Sequence, residues 1–370
     1  MIANDTPFTS APTLADRLWL GGALAHGASH WLANSKAPVW SCPIDAHEWP
    51  VTLSNGSTHH DSYVASLRSA WVRYASDEAR RLLPRWQAAL ARPALAALDL
   101  AWARGAVDHA AIAGNALVST NLYPNWQRDT LATATDHLVD QHPHRLLALR
   151  NVCTGVNPHL AEHLQALGWH LVPARQVYLC DPAQPALWRH NHVKRDQRLL
   201  DNADVELVGP EGIRPDDLPA LRHCFRQLFI GKHSVLNPDF TDTFFRFCLD
   251  SGWLALWMLR AEGRPVGVLG LYARHGWLTT PLIGYDTQAP ASWGLYRRLM
   301  ALLLRQAREQ GLKLHYSSGA GDFKTHRGGL PAMEYTALYD RHLALPVRLR
   351  HRVGARLMAR HAPGLLAANG

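Results

Sequence analysis

The residues best suited by type and spacing to chemistry lie in Ser317-Ser-Gly-Ala-Gly-Asp-Phe-Lys324, a small-residue run ending in a cation, with Arg327 one turn further on. A lysine fixed at the end of such a run can stand in a groove wall and give its charge to an oxyanion or a phosphate; Arg327 can share the anion. The segment His190-Asn-His-Val-Lys-Arg-Asp-Gln-Arg198 brings His192, Arg195 and Arg198 near one helix face, which makes Arg195 a candidate phosphate contact. The stretch Arg348 to His361 sets Leu349, Val353, Leu357 and Met358 between Arg350, Arg352, Arg356 and Arg360. Such a helix can dock on its own protein, lie on an acidic surface or touch a polynucleotide backbone.

Several chemistries have no support. There is no Walker A loop, HExxH, GxSxG elbow or strand-linked dinucleotide fingerprint, so kinase, metalloprotease, serine hydrolase and dehydrogenase readings fall away. Cys42, Cys153, Cys180, Cys224 and Cys248 are odd in number and never form a CxxC pair, which points to reduced, buried thiols and to no metal centre. Lys plus Arg number 38 against 30 Asp plus Glu, a formal +8, so an anionic partner is expected. No uncharged apolar stretch is long enough to predict a membrane span. The opening Met1-Ile-Ala-Asn-Asp lacks a secretory pattern, and a cytoplasmic address is expected.

The elements that must position these residues read as α+β. Thr58 to Asp61 can cap a long helix through Val64, Leu67, Ala70, Trp71 and Tyr74, broken at Pro84 and Pro93. Strand 116–120, a loop, helix 128–141 and strand 145–150 follow; strand 280–284, a loop, helix 294–310 and strand 312–317 repeat that order about 165 residues later. The spacing predicts that residues 118–150 superpose on 283–317. Prolines at 182 and 185 mark a joint, giving domains 1–185 and 186–343 and a basic helix 344–370.

The hairpin Arg264-Pro-Val-Gly-Val-Leu-Gly, the strand end Gly284-Tyr-Asp286, the small-residue run with its Phe323-Lys324 pair, and Arg327-Gly-Gly329 together resemble the GNAT acyltransferase superfamily. Over residues 186–343 the chain is most similar to the branch with the Fem peptidoglycan-bridge transferases and the BioF2-like acetyltransferases. The resemblance implies tandem GNAT-like (acyl-CoA N-acyltransferase) domains with mixed central sheets flanked by helices, and N-acyl transfer to an amine-bearing acceptor. The implied donor is an acyl-CoA or acyl carrier protein thioester, without a metal. An aminoacyl-tRNA donor of the Fem type and a non-catalytic binding module are the alternatives. The glycines expected of a coenzyme A loop are replaced in Gln288-Ala-Pro-Ala-Ser-Trp293. Within this resemblance Lys324 is the oxyanion stabiliser, and Asp286 and His233 are the proton acceptors. Tyr285, Ser318, Arg327, Lys232, Asn237 and Arg195 bind substrate, and the segment 231–238 folds over the acceptor.

Overall fold

The computed structural model describes residues 12–55, 61–74 and 107–368, with side chains to residue 356 in the last helix. Eleven strands run through the described residues: β1 Val39–Ile44, β2 His47–Leu53, β3 Ala110–Ala113, β4 Leu146–Cys153, β5 His170–Cys180, β6 Glu206–Val208, β7 Ala255–Ala261, β8 Arg264–Arg274, β9 Trp277–Tyr285, β10 Lys313–His315 and β11 Leu330–Tyr339. They form one continuous sheet in the order β1-β2-β3-β4-β11-β5-β10-β9-β8-β7-β6.

The order is a repeat folded back on itself. In the first half β1, β2 and β3 pair antiparallel and β3 pairs β4 in parallel; in the second, β7, β8 and β9 pair antiparallel and β9 pairs β10 in parallel. Each half then runs through a helix, Pro158–Ala166 or Gly321–Thr325, into a last strand that crosses over. β5 pairs with β10, β11 pairs with β4, and β5 and β11 pair with each other. The tandem GNAT-like halves are therefore joined by exchanged final strands in one sheet, where separate sheets were expected.

Local sequence sets this path. Glu262-Gly263 and His275-Gly276 both have positive φ (51° and 74°, 50° and 81°), the backbone that tight two-residue hairpins require. Along β9, Leu282 packs with Leu221 and Phe225 on one face, while Ile283 packs with Leu295 and Leu299 on the other, so helices Leu218–Arg226 and Leu295–Glu309 sandwich the sheet. A Cβ on Gly284 would lie 2.3 Å from the Phe225 Cα, so this glycine is what lets the first of those helices close on β9.

Two expectations change. Residues 116–120 bend instead of forming a strand; the strand is Ala110–Ala113, because the Asn121 side chain accepts the Ala116 N–H (2.9 Å) and Leu117 is left-handed (φ 57°). Of the long helix expected after Thr58, the structure describes a helical turn around Ser69–Arg73, and residues 58–60, 84 and 93 lie outside the described residues.

Strand exchange makes each half incomplete alone, since β4 and β5 would both lose β11. The full chain is expected to melt in one calorimetric transition, and a fragment of residues 1–185 to show no cooperative melt by circular dichroism. A fragment that melts cooperatively as a monomer would show that the exchanged strand is dispensable.

Candidate active site

The parallel strands β9 and β10 are in register only at Lys313 with Trp277 and Leu314 with Leu278. The Thr279 hydroxyl donates to the His315 carbonyl (2.9 Å), and there the two strands part, β9 continuing to Tyr285. After β10 the chain turns through Ser317 (φ 61°), Gly319 (φ 78°) and Ala320 (φ 53°) into helix Gly321–Thr325. This conformation favours small residues.

Lys324 folds back under that turn. Its Nζ donates to the Ser318 carbonyl (2.6 Å) and the Ser317 carbonyl (3.3 Å), and it lies 5.8 Å from the Tyr178 ring centroid. At 3 % exposure it is not a surface lysine. Burial, and then the positive charge of Arg175, pull its pKa down to about 7. A neutral amine has two N–H groups and a lone pair; here both N–H groups have carbonyl partners and the lone pair is left. Protonated, the same nitrogen gains one further N–H.

Arg175 belongs to a buried cluster built from both halves. It stands opposite Glu334 in the β5–β11 register, and its Nε and Nη2 donate to the Glu334 carboxylate (2.5 and 3.2 Å). It also donates to Thr120 Oγ1 (2.8 Å), the Ser119 carbonyl (2.7 Å) and Ser317 Oγ (3.3 Å). Asn151 adds a bond to Glu334 (2.8 Å). Burial works against the Glu334 charge, but Arg175 and the His315 hydrogen bond hold its pKa at about 2. His315 Nδ1 accepts the Ser317 N–H (3.1 Å), so the proton of the neutral ring is on Nε2, 3.6 Å from Glu334; burial keeps that ring's pKa below its usual value. Sequence reasoning missed Arg175, Glu334 and His315. The available signal was charge inside strands that otherwise read as buried.

Of the nine residues expected to form the site, the structure brings Lys324 and Ser318 into direct contact. Tyr285, half-buried at the end of β9, reaches the same short helix through Tyr296 (6.3 Å between rings), which is 5.0 Å from Phe323. Asp286 is engaged elsewhere: it takes Arg264 Nη1 (2.8 Å) and caps the turn at the Gln288 N–H (2.9 Å). Burial opposes its charge, yet these two donors hold the carboxyl below the usual range, which suits a turn cap and not a proton acceptor. Arg327 is buried and donates to Asp196 (2.6 Å) and to the Phe323 carbonyl (2.8 Å), with its guanidinium 3.3 Å above the Phe323 ring. Asp196 also accepts Arg297 (2.7 Å), so Arg327 is a structural anchor. Arg195 is exposed on helix Asn191–Leu200.

The segment 231–238 is a strap between the halves. Asn237 is buried; its side-chain amide donates to the Phe229 carbonyl (2.7 Å), while its backbone carbonyl accepts the Asn34 side chain (2.7 Å), so the residue ties the strap to both halves. The Leu236 carbonyl accepts the Tyr63 N–H (2.8 Å). Lys232 and His233 end the helical turn that begins at Gln227, whose side chain accepts the Thr287 N–H (3.0 Å) next to Asp286.

The equivalent gap in the first half is filled. Arg150, buried, donates to Asn115 Oδ1 (3.1 Å) and to the carbonyls of Val64 (3.2 Å) and Val118 (3.3 Å), and Asn121 donates to Asn151 (2.9 Å). All five cysteines are buried, and burial lifts the Cys180 and Cys224 thiols to about 12, so no cysteine here is a ready nucleophile.

Residues 189–326 match the family described as acetyltransferase (GNAT) domain. The matched stretch, in the second half of the chain, is an acyltransferase domain of the GNAT type. Among solved structures, FemX shares its fold at a TM-score of 0.51 and 7% identity, over 86% of this chain and 90% of FemX. L-PGS from Bacillus licheniformis matches at TM-score 0.43 and 15% identity, over 67% of this chain and 82% of its own. A tandem GNAT protein from the clavulanic acid biosynthesis pathway matches at 0.36 and 15%, over 62% and 74%. No curated protein sequence matches the chain. The FemX likeness in fold extends over both halves of this chain.

The lysine gives a pH test. Unfolded, it holds its proton up to about pH 10.5; folded, only to about pH 7, so between these values the unfolded state binds more protons and stability rises with pH. Lys324→Met removes this penalty. Its stability relative to the parent, from urea unfolding, should be greatest near pH 7 and decline toward pH 10.5. A difference that stays constant across that window would mean that the folded lysine is charged throughout.

Proposed function

We propose that the protein is an N-acyltransferase working in its second half, moving an acyl group from a thioester of coenzyme A or a carrier protein to an amine by direct attack. The observation that carries this reading is the buried Lys324, with both amine N–H groups bound to carbonyls and a pKa near neutrality, at the mouth of the β9–β10 separation. The amine nitrogen attacks the thioester carbonyl. As the C–N bond forms, its proton passes to the Lys324 lone pair; the new ammonium offers its third N–H to the oxyanion. When the C–S bond breaks, that proton leaves on the thiolate sulfur, so lysine returns to its starting form.

Positive charge near the start of helix Leu295–Glu309 supports an anionic donor. Arg297 and Arg327 share the single carboxylate of Asp196, His192 and His326 stack beside them (4.8 Å), and Arg195 is exposed on the same side of helix Asn191–Leu200 as His192. Gly294 (φ 58°) opens the long helix in place of the glycine-rich loop. In this reading Tyr285 and Ser318 line the acceptor side, Asp286 caps the turn beside them, and His233 on the strap is the residue that closes on the acceptor.

The expected kinetics are specific. kcat/KM should rise with pH through an apparent pKa of about 7, and Lys324→Met should lower turnover by about 10² or more and abolish that slope while remaining folded. His233→Ala should raise KM and keep the slope. A fully active Lys324→Met removes the lysine from the mechanism. For the donor, thermal-shift titration should show stabilisation by acyl-CoA or an acylated carrier protein, about 2.7 kcal/mol at 100 times the dissociation constant. A shift produced by aminoacyl-tRNA and lost with the deacylated form would replace the thioester donor by a Fem-type one, and no shift with any donor would favour a binding module.

A further inference from the structure

The final helix, Leu345–Ala368, lies against β5 and is fixed on its inner side by His351, whose Nδ1 is 3.1 Å from the Asp340 carboxylate, and by Ala355, which packs beside Leu338. Its outer side carries Leu345, Leu349 and Val353, which are 59%, 50% and 57% exposed. Their i, i+4, i+8 spacing makes one continuous aliphatic stripe more than two turns long. Arg352 and Arg356 fall within or beside that stripe, Arg348 borders it, and Arg356 is exposed. From Arg341 to Gly370 the sequence has no Asp or Glu.

Exposed aliphatic side chains in a row, set among arginines on a helix that itself carries no acid, fit an apolar layer beneath a negatively charged surface. A polynucleotide offers the charge without the apolar layer, and an ordinary solvated helix face needs no leucine stripe. Among the described residues no helix is long and apolar enough to cross a membrane, so the helix would lie on a bilayer and not through it. We infer that the outer side of helix Leu345–Ala368 is an interfacial surface for a bilayer rich in anionic phospholipid, with Leu345, Leu349 and Val353 entering the acyl boundary and Arg352 and Arg356 meeting headgroup phosphates. This inference stands on the helix alone and not on the catalytic reading. It places the enzyme at a membrane surface, where an acceptor presented by that surface would be within reach.

The test uses the full chain and vesicles of phosphatidylcholine with or without about 30% phosphatidylglycerol. Co-sedimentation should capture the protein on the anionic vesicles, weakly or not at all on neutral ones, and less as salt is raised. Leu349→Asp with Val353→Asp should reduce the partition coefficient by about tenfold or more, and Arg352→Gln and Arg356→Gln by about fivefold each. Unchanged melting temperatures would show that the helix remains docked; if the Asp pair unfolds the protein, Leu349→Ser with Val353→Ser serves in its place. No capture on anionic vesicles overturns the inference. So does capture unaffected by the aliphatic substitutions, and full displacement by bulk RNA together with that insensitivity would assign the helix to polynucleotide phosphates instead.

Discussion

One buried ion pair holds the halves of this protein in register. Arg175 and Glu334 face each other on the two strands that the halves exchange, and neither could be charged at that depth without the other. Glu334 remains ionised because Arg175, Asn151 and His315 surround it; Arg175 in turn ties Ser119 and Thr120 of the first half to Ser317 of the second. Removing either partner leaves a buried charge uncompensated, a defect of about 3–5 kcal/mol in comparable pairs. The same guanidinium contributes to the lowered pKa of Lys324. Arg175 thus bears both on the assembly of the sheet and, after burial, on the protonation of the lysine.

The two halves use the same connectivity and differ in what stands where the parallel strands part. In the first, Arg150 and three asparagines close the opening with hydrogen bonds to one another and to the loops beside it. In the second, the corresponding turn is made of Ser, Gly and Ala, and the side chain that folds into it is a lysine whose nitrogen keeps an unused lone pair. Hydrogen bonds of this kind hold the first network rigid, whereas the second leaves a basic nitrogen with a lone pair. The first half meets the turn before Lys324 through Arg175 and Thr120, and meets the strap through Ser62, whose hydroxyl donates to the Leu236 carbonyl.

Local features were legible in the sequence, and long-range ones were not. The hairpin around Glu262-Gly263, helix Leu295–Glu309 and the tight turn of small residues before Lys324 follow from turn chemistry, periodicity and residue size within short windows. The repeat was visible as an order of elements, but the exchange of β5 and β11 was not, because nothing in a strand's own pattern says which half it pairs with. Arg175 and Glu334 are 159 residues apart, and each alone reads as a charge on a strand. Arg327 and Asp286 misled for the reverse reason: both sit where a site was expected, but their partners, Asp196 and Arg264, engage them in fixed pairs.

Lys324 can serve the turn that carries it in either protonation state. Ser317 and Ala320 hold left-handed backbone that costs about 1–3 kcal/mol at each non-glycine position. The conformation turns the carbonyls of Ser317 and Ser318 toward Lys324 Nζ, which donates to both, while the Ser317 carbonyl also accepts the Tyr178 N–H (3.2 Å). A residue chosen only to bond those carbonyls could be a permanently charged arginine. A lysine does the same with a proton it can release, since burial and Arg175 bring its two forms close in energy, and each form keeps both carbonyls satisfied. Gain or loss of a proton at Nζ therefore requires no rearrangement of the strained turn.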